Sequence, residues 1–164
     1  MLIRPGQAGD LEQINDVYNH YVRETAITFD IELITMAERT EWFGHYDVVG
    51  RHRLLVAVSN DRVLGYATSS PWHPRRAYET SIETSIYLAS DATGRDIGSA
   101  LYSRLFSELD GQDLHCAYGG VTMPNPASIA LHERFGFERV AYFTEQGRKF
   151  GCYWDVALYE KPLG

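Results

Sequence analysis

The chain has 164 residues, of which 45% are hydrophobic and 23% are charged, and its formal net charge is −7. This length and composition predict one soluble globular domain, residues 1–164, with enough apolar side chains for a sizeable core. The acidic balance argues against nucleic acid as a main partner, because nucleic-acid binding needs a basic face.

Three features of the sequence bear on location. The N-terminus, MLIRPGQAGDLEQ, lacks the basic start and apolar run of a signal peptide. No apolar stretch approaches the roughly 20 residues that span a membrane. The two cysteines, Cys116 and Cys152, form no CxxC pair, which is typical of a reducing compartment. We therefore expect a cytoplasmic protein with no membrane partner.

The first half of the chain alternates short helices and strands. LIRPG predicts an edge strand, and Asp10 with Gln13 three residues later is typical of a capped helix start. TMAE, residues 35–38, is a second such signature and begins a helix that carries Trp42 and Phe43. RLLVAVS and RVLGYATSS then predict two strands joined by a turn at NDR.

The next segment, TSIETSIYL, predicts a strand with two different faces. Ile82, Thr84, Ile86 and Leu88 share one side, and Ser81, Glu83, Ser85 and Tyr87 share the other. The following helix carries Leu101, Tyr102, Leu105 and Leu109 on one stripe.

The C-terminal part predicts a strand, a short helix and a strand pair. LHCAYGGVT predicts the strand. NPASIALHERFGF predicts the helix, with Asn125 as N-cap and Pro126 at the first helical position. RVAYFTEQ and FGCYWDVALYEK complete the chain as an aromatic-rich antiparallel pair. This order of elements predicts an α+β fold with a mixed, mostly antiparallel sheet.

Four features could carry chemistry, and each has a plain structural alternative. The loop at residues 93–98 could hold phosphate at a helix N-terminus, or be an ordinary turn. Glu83 could be a general base in a cleft, or face water on an edge strand. His132 could move a proton, or be a packing residue. The arginines and aromatic residues of SPWHPRRAYE could clamp an acid group, or lie in a solvated loop. The six histidines show no metal-ligand spacing, so we expect no metal.

Taken together, four segments resemble the GNAT superfamily of N-acetyltransferases, and its phosphinothricin acetyltransferase-like branch in particular. They are SPWHPRRAYETSIETSIYL, GRDIGSALY, NPASIALHERFGF and GRKFGCYWDVALYEKPL, which occur in the family's order and spacing. The resemblance covers essentially the whole chain. It implies the GNAT fold, with strands splayed at an acetyl-coenzyme A site, and direct acetyl transfer to a small amino acid-like amine. Branch members are usually dimers, so a homodimer is implied as well.

The resemblance also implies roles for individual residues. Glu83 matches the general base, and His132 stands where many members have a proton-donating tyrosine. The residues implied to bind acetyl-coenzyme A are Ile86, Tyr87, Leu88, Thr93, Gly94, Arg95, Asp96, Ile97, Gly98, Asn125 and Ser128. Those implied to bind the substrate are His73, Arg75, Tyr78 and Tyr87.

The chain departs from the family at its phosphate loop. The family pattern reads Arg/Gln-x-x-Gly-x-Gly/Ala, whereas this chain has Thr93 at the first position and Asp96 at the fourth. Two hypotheses follow: an active N-acetyltransferase, or a non-catalytic coenzyme A-binding or interaction module with a degenerate loop. Aspartate tolerates a left-handed backbone better than most residues, which favours a working loop.

Overall fold

Seven strands form one open sheet that four α-helices flank, in a computed structural model that describes residues 1–164. The strands are β1 (Leu2–Pro5), β2 (Arg53–Ser59), β3 (Arg62–Pro71), β4 (Ser81–Leu88), β5 (Cys116–Thr122), β6 (Glu138–Lys149) and β7 (Cys152–Pro162). The helices are α1 (Leu11–Glu24), α2 (Met36–Phe43), α3 (Ile97–Leu109) and α4 (Pro126–Arg134). The strand order is β1-β2-β3-β4-β5-β7-β6, and only β4 and β5 run parallel. The predicted α+β fold with a mostly antiparallel sheet is confirmed.

The sheet separates two apolar cores because its central strands alternate buried side chains between their faces. Leu55 and Ala67 pack with α3 in the larger core, while Leu54, Val56 and Tyr66 pack with α1 in the smaller one. The predicted stripe of α3 is confirmed, since its four residues, Leu101, Tyr102, Leu105 and Leu109, are all buried in the larger core.

The two predicted capping signatures have different outcomes. At α2, Glu38 N–H donates to Thr35 Oγ1 at 3.3 Å and Thr35 N–H donates to Glu38 Oε2 at 2.8 Å, as expected. At α1, Asp10 lies at the predicted boundary, but its side chain does not cap the helix. Its carboxylate instead accepts two hydrogen bonds from Arg4, at 2.7 and 2.8 Å, and one from Gln7 N–H. The ion pair has taken the oxygens that a cap would need.

The strands β4 and β5 diverge soon after they meet. They pair only at the three positions Ser81–Cys116, Ile82–Ala117 and Glu83–Tyr118. Beyond Glu83, β4 continues to Leu88 with no strand paired along its β5 side. This divergence opens a V-shaped gap in the middle of the sheet, which positions the candidate site.

Three structural facts bear on the remaining expectations. Cys116 is buried, Cys152 is exposed, and neither forms a disulfide. None of the helices combines the length and apolarity needed to cross a membrane. No group of three or more His, Cys, Asp or Glu side chains is arranged to hold a metal ion.

Candidate active site

A cleft of about 660 Å³ lies where β4 and β5 diverge. Its walls are the second half of β4, the loop before α3, the end of β5 and the start of α4. The cleft brings together nearly all the residues predicted to bind the acetyl donor: Ile86, Tyr87, Leu88, Thr93, Gly94, Asp96, Ile97, Gly98, Asn125 and Ser128. Of that predicted set, Arg95 alone does not line it.

The acidic side chain of the loop before α3 is exposed and lies beside an arginine. Gly94 and Asp96 have positive φ values of 69° and 57°, a conformation that glycine and aspartate adopt more readily than most residues. The Asp96 carboxylate is 86% exposed and lies 3.3 Å from Arg134 Nη1. The first residues of α3, beginning at Ile97, line the cleft and have no side-chain cap. Their free N–H groups and the helix dipole favour an anion there.

Glu83 lies in the middle of the sheet. Its Cα is paired with Ser70 of β3 on one side and with Tyr118 of β5 on the other, so the edge-strand alternative is excluded. The side chain is half-buried and makes no hydrogen bond or ion pair within the protein. Burial without a compensating cation raises the pKa of Glu83 above its usual range. A carboxylate in this state is suited to accepting a proton near neutral pH.

His132 is held in one orientation at the base of the cleft. It is 3% exposed, and its Nδ1 lies 2.7 Å from the Ser128 carbonyl oxygen. A carbonyl only accepts, so this contact assigns the proton to Nδ1 and leaves a lone pair on Nε2. Nε2 lies 3.4 Å from the Tyr102 hydroxyl. Burial lowers the pKa of His132, which favours the neutral imidazole.

Gly119 of β5 makes room for His132, and the sequence interpretation missed it. A Cβ atom added at Gly119 would lie 2.5 Å from His132 Nε2. The imidazole cannot swing aside freely, because Tyr102, Phe137 and Tyr159 surround it at centroid distances of 5.7, 5.0 and 5.8 Å. The signal available in the sequence was the pair of glycines inside a strand, which often marks a close approach.

A second cavity, of about 340 Å³, lies against β4. Glu83, Ser85 and Tyr87 line both this cavity and the cleft, so the two spaces meet at β4. The remaining wall comes mainly from α1, α2 and β3, and includes Tyr18, Arg39, Trp42, Tyr46 and Tyr66. None of these five residues was among the predicted site residues.

The residues that the resemblance implies bind the substrate lie elsewhere, apart from Tyr87. His73, Arg75 and Tyr78 are exposed on the connection between β3 and β4 and line neither cavity. The rings of His73 and Tyr78 pack against each other, with centroids 4.7 Å apart. Their role in substrate binding stays a prediction.

The comparison of the sequence with known proteins decides the family. Residues 14–137 match the acetyltransferase (GNAT) family. This chain belongs to that family. The predicted resemblance is confirmed, and the GNAT chain is an acetyltransferase enzyme rather than a non-catalytic module. GNAT acetyltransferases take their acetyl group from acetyl-coenzyme A, so acetyl-coenzyme A is the donor, as predicted.

Three relatives show which kinds of acetyltransferase this GNAT enzyme is similar to. A phosphinothricin N-acetyltransferase of Streptomyces coelicolor is 53% identical, over 98% of this chain and 95% of its own. An L-methionine sulfoximine/L-methionine sulfone acetyltransferase of Pseudomonas paraeruginosa is 31% identical, over 98% and 94%. The structure of a phosphinothricin acetyltransferase from Sinorhizobium meliloti in complex with acetyl-coenzyme A superposes with a TM-score of 0.92 at 31% identity, covering 99% of this chain and 88% of the other.

Proposed function

We propose that this GNAT enzyme acetylates the primary amine of a small amino acid-like substrate of the phosphinothricin, methionine sulfoximine or methionine sulfone type. The observation that carries the proposal is the position of Glu83, an unpaired and half-buried carboxylate where the cleft meets the second cavity. A donor in one space and an amine in the other would meet beside this carboxylate. The names of the relatives supply the substrate class.

The cleft is proposed to hold acetyl-coenzyme A. Backbone N–H groups of residues 93–98 would bind the pyrophosphate, because they combine free donors with the positive end of the α3 dipole. The pantetheine arm would run along Ile86, Tyr87 and Leu88, where β4 has no strand on its β5 side. Asn125 and Ser128 line the opposite wall beside that arm.

The proposed reaction is a direct transfer between the two bound substrates. Glu83, directly or through a water molecule, removes a proton from the ammonium group, and the free amine attacks the thioester carbonyl. A backbone N–H near Tyr87 and Leu88 stabilises the oxyanion that forms. The carbon–sulfur bond then breaks, the thiolate leaves as coenzyme A, and holding both substrates together lowers the entropic part of the barrier.

His132 is proposed to protonate the departing thiolate through Nε2. Its Nδ1–H is committed to the Ser128 carbonyl, so the imidazole must first take up a second proton, at Nε2, before it can act as an acid. Burial lowers the pKa of His132 and keeps this doubly protonated form scarce at neutral pH. We therefore expect the loss of His132 to cost less activity than the loss of Glu83.

An amine-panel assay tests the proposed function. The enzyme is mixed with acetyl-coenzyme A and each of phosphinothricin, L-methionine sulfoximine, L-methionine sulfone and the common amino acids, and free thiol is measured. Faster thiol release with the three named amines than with the common amino acids is the expected result. Thiol release that no amine in the panel accelerates would contradict the proposal.

Replacing Asp96 with Gly tests the unusual loop. The carboxylate is 86% exposed and paired with Arg134, so its repulsion of a bound pyrophosphate is screened by solvent and by that cation. We expect Asp96→Gly to lower the KM for acetyl-coenzyme A by less than about fivefold, since exposed ion-pair effects are about 1 kcal/mol or less. A KM that falls by more than about tenfold would show that Asp96 opposes donor binding strongly.

We also propose that the enzyme acts in the cytoplasm as a homodimer, with no nucleic-acid or membrane partner. The observation behind the dimer is the group of large apolar side chains left exposed on β6 and β7: Val140, Tyr142, Phe143 and Tyr153. Light scattering is expected to give about twice the 18.6 kDa mass of one chain. The monomer mass at assay concentrations would contradict it.

A further inference from the structure

The second cavity contains a buried cation that has no anionic partner. Arg39 is 3% exposed, and its Nε donates to Asn15 Oδ1 at 3.0 Å. Its Nη2 is buried and has no hydrogen-bond partner, and no carboxylate lies within ion-pair distance of the guanidinium. An unpaired charge away from water is costly, so such a group usually has a ligand or a counter-ion.

The guanidinium of Arg39 is fixed in place before any ligand binds. It lies over the Tyr18 ring of α1 at 4.9 Å and over the Trp42 ring of α2 at 4.4 Å. These two stacking contacts and the Asn15 hydrogen bond hold the planar group in the cavity wall. A guanidinium held this way loses little entropy when it binds a carboxylate.

The other acidic groups of the cavity are already occupied, which leaves Glu83 for the amine. Asp30 accepts a hydrogen bond from the Tyr18 hydroxyl, and Glu38 accepts from the Thr35 backbone at the start of α2. Glu83 makes no such contact and lines the same cavity as Arg39. The cavity thus offers a free carboxylate and a free guanidinium, with aromatic walls between them, in a volume suited to a small ligand.

We propose that Arg39 binds the carboxylate of the amino acid substrate, while the substrate's amine faces Glu83. The inference rests on the proposed function and deepens it, because it assigns the acceptor pocket to the second cavity and its acid-binding group to α2. It differs from the role implied for Arg75, which is exposed and outside both cavities. The enzyme would then select α-amino acids over simple amines.

A pair of acceptors that differ only in the carboxylate tests this assignment. L-methionine sulfone is compared with 3-(methylsulfonyl)propylamine in the wild type and in Arg39→Gln. We expect the variant to raise the KM for L-methionine sulfone by about 10- to 100-fold, the range that hydrogen bonds to a charged group provide. The KM for the amine without a carboxylate and the KM for acetyl-coenzyme A should stay within about twofold.

Two further variants control for folding. Arg23→Gln removes an exposed arginine from the last turn of α1 and should leave the KM for both acceptors unchanged. Arg39→Lys keeps the charge and loses the planar fork, so we expect an intermediate KM for L-methionine sulfone together with a near-wild-type melting temperature. If Arg39→Gln unfolds, the lysine variant carries the comparison of the two acceptors.

Binding calorimetry separates this inference from the proposed function. L-methionine sulfone is titrated into the coenzyme A complex of the wild type and of the folded Arg39 variant. Heat that appears only with the wild type supports the carboxylate site even if no amine is acetylated. The inference would be overturned by equal affinities in the two proteins, by no binding to the wild type, or by equal KM increases for both acceptors. Arg39 would then only join α1 to α2.

Discussion

Replacing Glu83 with Gln is expected to lower kcat/KM for the amine by about 10²- to 10⁴-fold, the usual contribution of a general base. Glutamine has nearly the same shape and cannot accept the ammonium proton, so the cavity is preserved while the proton transfer is lost. The KM for acetyl-coenzyme A should change little, because the proposed donor contacts lie further along β4 and in the loop before α3. Steady-state kinetics with thiol detection measures both effects.

The matched control is Glu79→Gln, which removes an exposed carboxylate just before the same strand. It should leave kcat/KM unchanged. Full activity of Glu83→Gln would remove Glu83 from the role of base. The proposed cleft for the donor would stand, because it depends on other residues.

The raised pKa of Glu83 has a consequence for the pH dependence of activity. The base acts in its ionised form, so kcat/KM is expected to fall as the pH drops through the pKa of Glu83. Burial raises that pKa, and the acid limb should therefore lie above the usual value of about 4.3 for a free glutamate. The Glu83→Gln variant should lose this limb from its residual activity.

The raised pKa of Glu83 also predicts how the folding stability changes with pH, which can be tested without measuring turnover. When the folded-state pKa is raised, the stabilising contribution is present below the unfolded-state pKa and is lost as the pH rises through the folded-state value. Ionised Glu83 therefore costs stability at neutral pH. We expect Glu83→Gln to melt at the same temperature as the wild type or higher at pH 7, and the difference to vanish below about pH 4.

Replacing Gly119 with Ala is the second substitution with a large expected effect. The added Cβ would lie 2.5 Å from His132 Nε2, which is far inside van der Waals contact. Overpacking of this kind costs about 1–3 kcal/mol of unfolding free energy. The displaced imidazole would also lose its place in the cleft, so kcat should fall even under conditions in which the variant is fully folded.

Two controls isolate the contact between Gly119 and His132. Gly120→Ala lies on the same strand and meets no atom within 4 Å, so its melting temperature should stay close to the wild-type value. In a His132→Ala background, the Cβ at position 119 has no imidazole to meet, and the cost of Gly119→Ala should largely disappear. An equal cost in both backgrounds would show that the strand itself, and not His132, rejects the side chain.

Local signals in the sequence were enough to predict most of the framework. Thr35 caps α2 through Glu38, and Asn125 caps α4 by accepting from Ser128 N–H at 3.1 Å. Each of these interactions spans three residues, so the amino acid types and their spacing determine it. The alternation of side chains along β4 could be predicted equally well, since Ile82 and Thr84 are buried while Glu83 lines the cavities.

Signals of the same kind failed where another group bonded to the atoms that a helix cap would use. The Asp10 carboxylate does not cap α1, because Arg4 and the Gln7 N–H occupy its oxygens. Gln13 does not reach back toward Asp10 either, since its Oε1 accepts from Val63 N–H at 2.9 Å in β3. Val63 lies 50 residues from Gln13, outside any short window of sequence, whereas Arg4 and Gln7 lie close to Asp10 but give no signal that they bond to its carboxylate.

By itself the sequence determined the order of helices and strands, the polar face that carries Glu83, and the loop in which Asp96 takes a left-handed backbone. The tertiary structure alone decided that Arg39 and Gly119 belong to the site. Arg39 and Glu83 line one cavity because α1 and α2 pack on the face of β4 that carries Glu83. Gly119 matters because α4 packs His132 onto β5, and such contacts depend on how helices pack against a sheet rather than on sequence spacing.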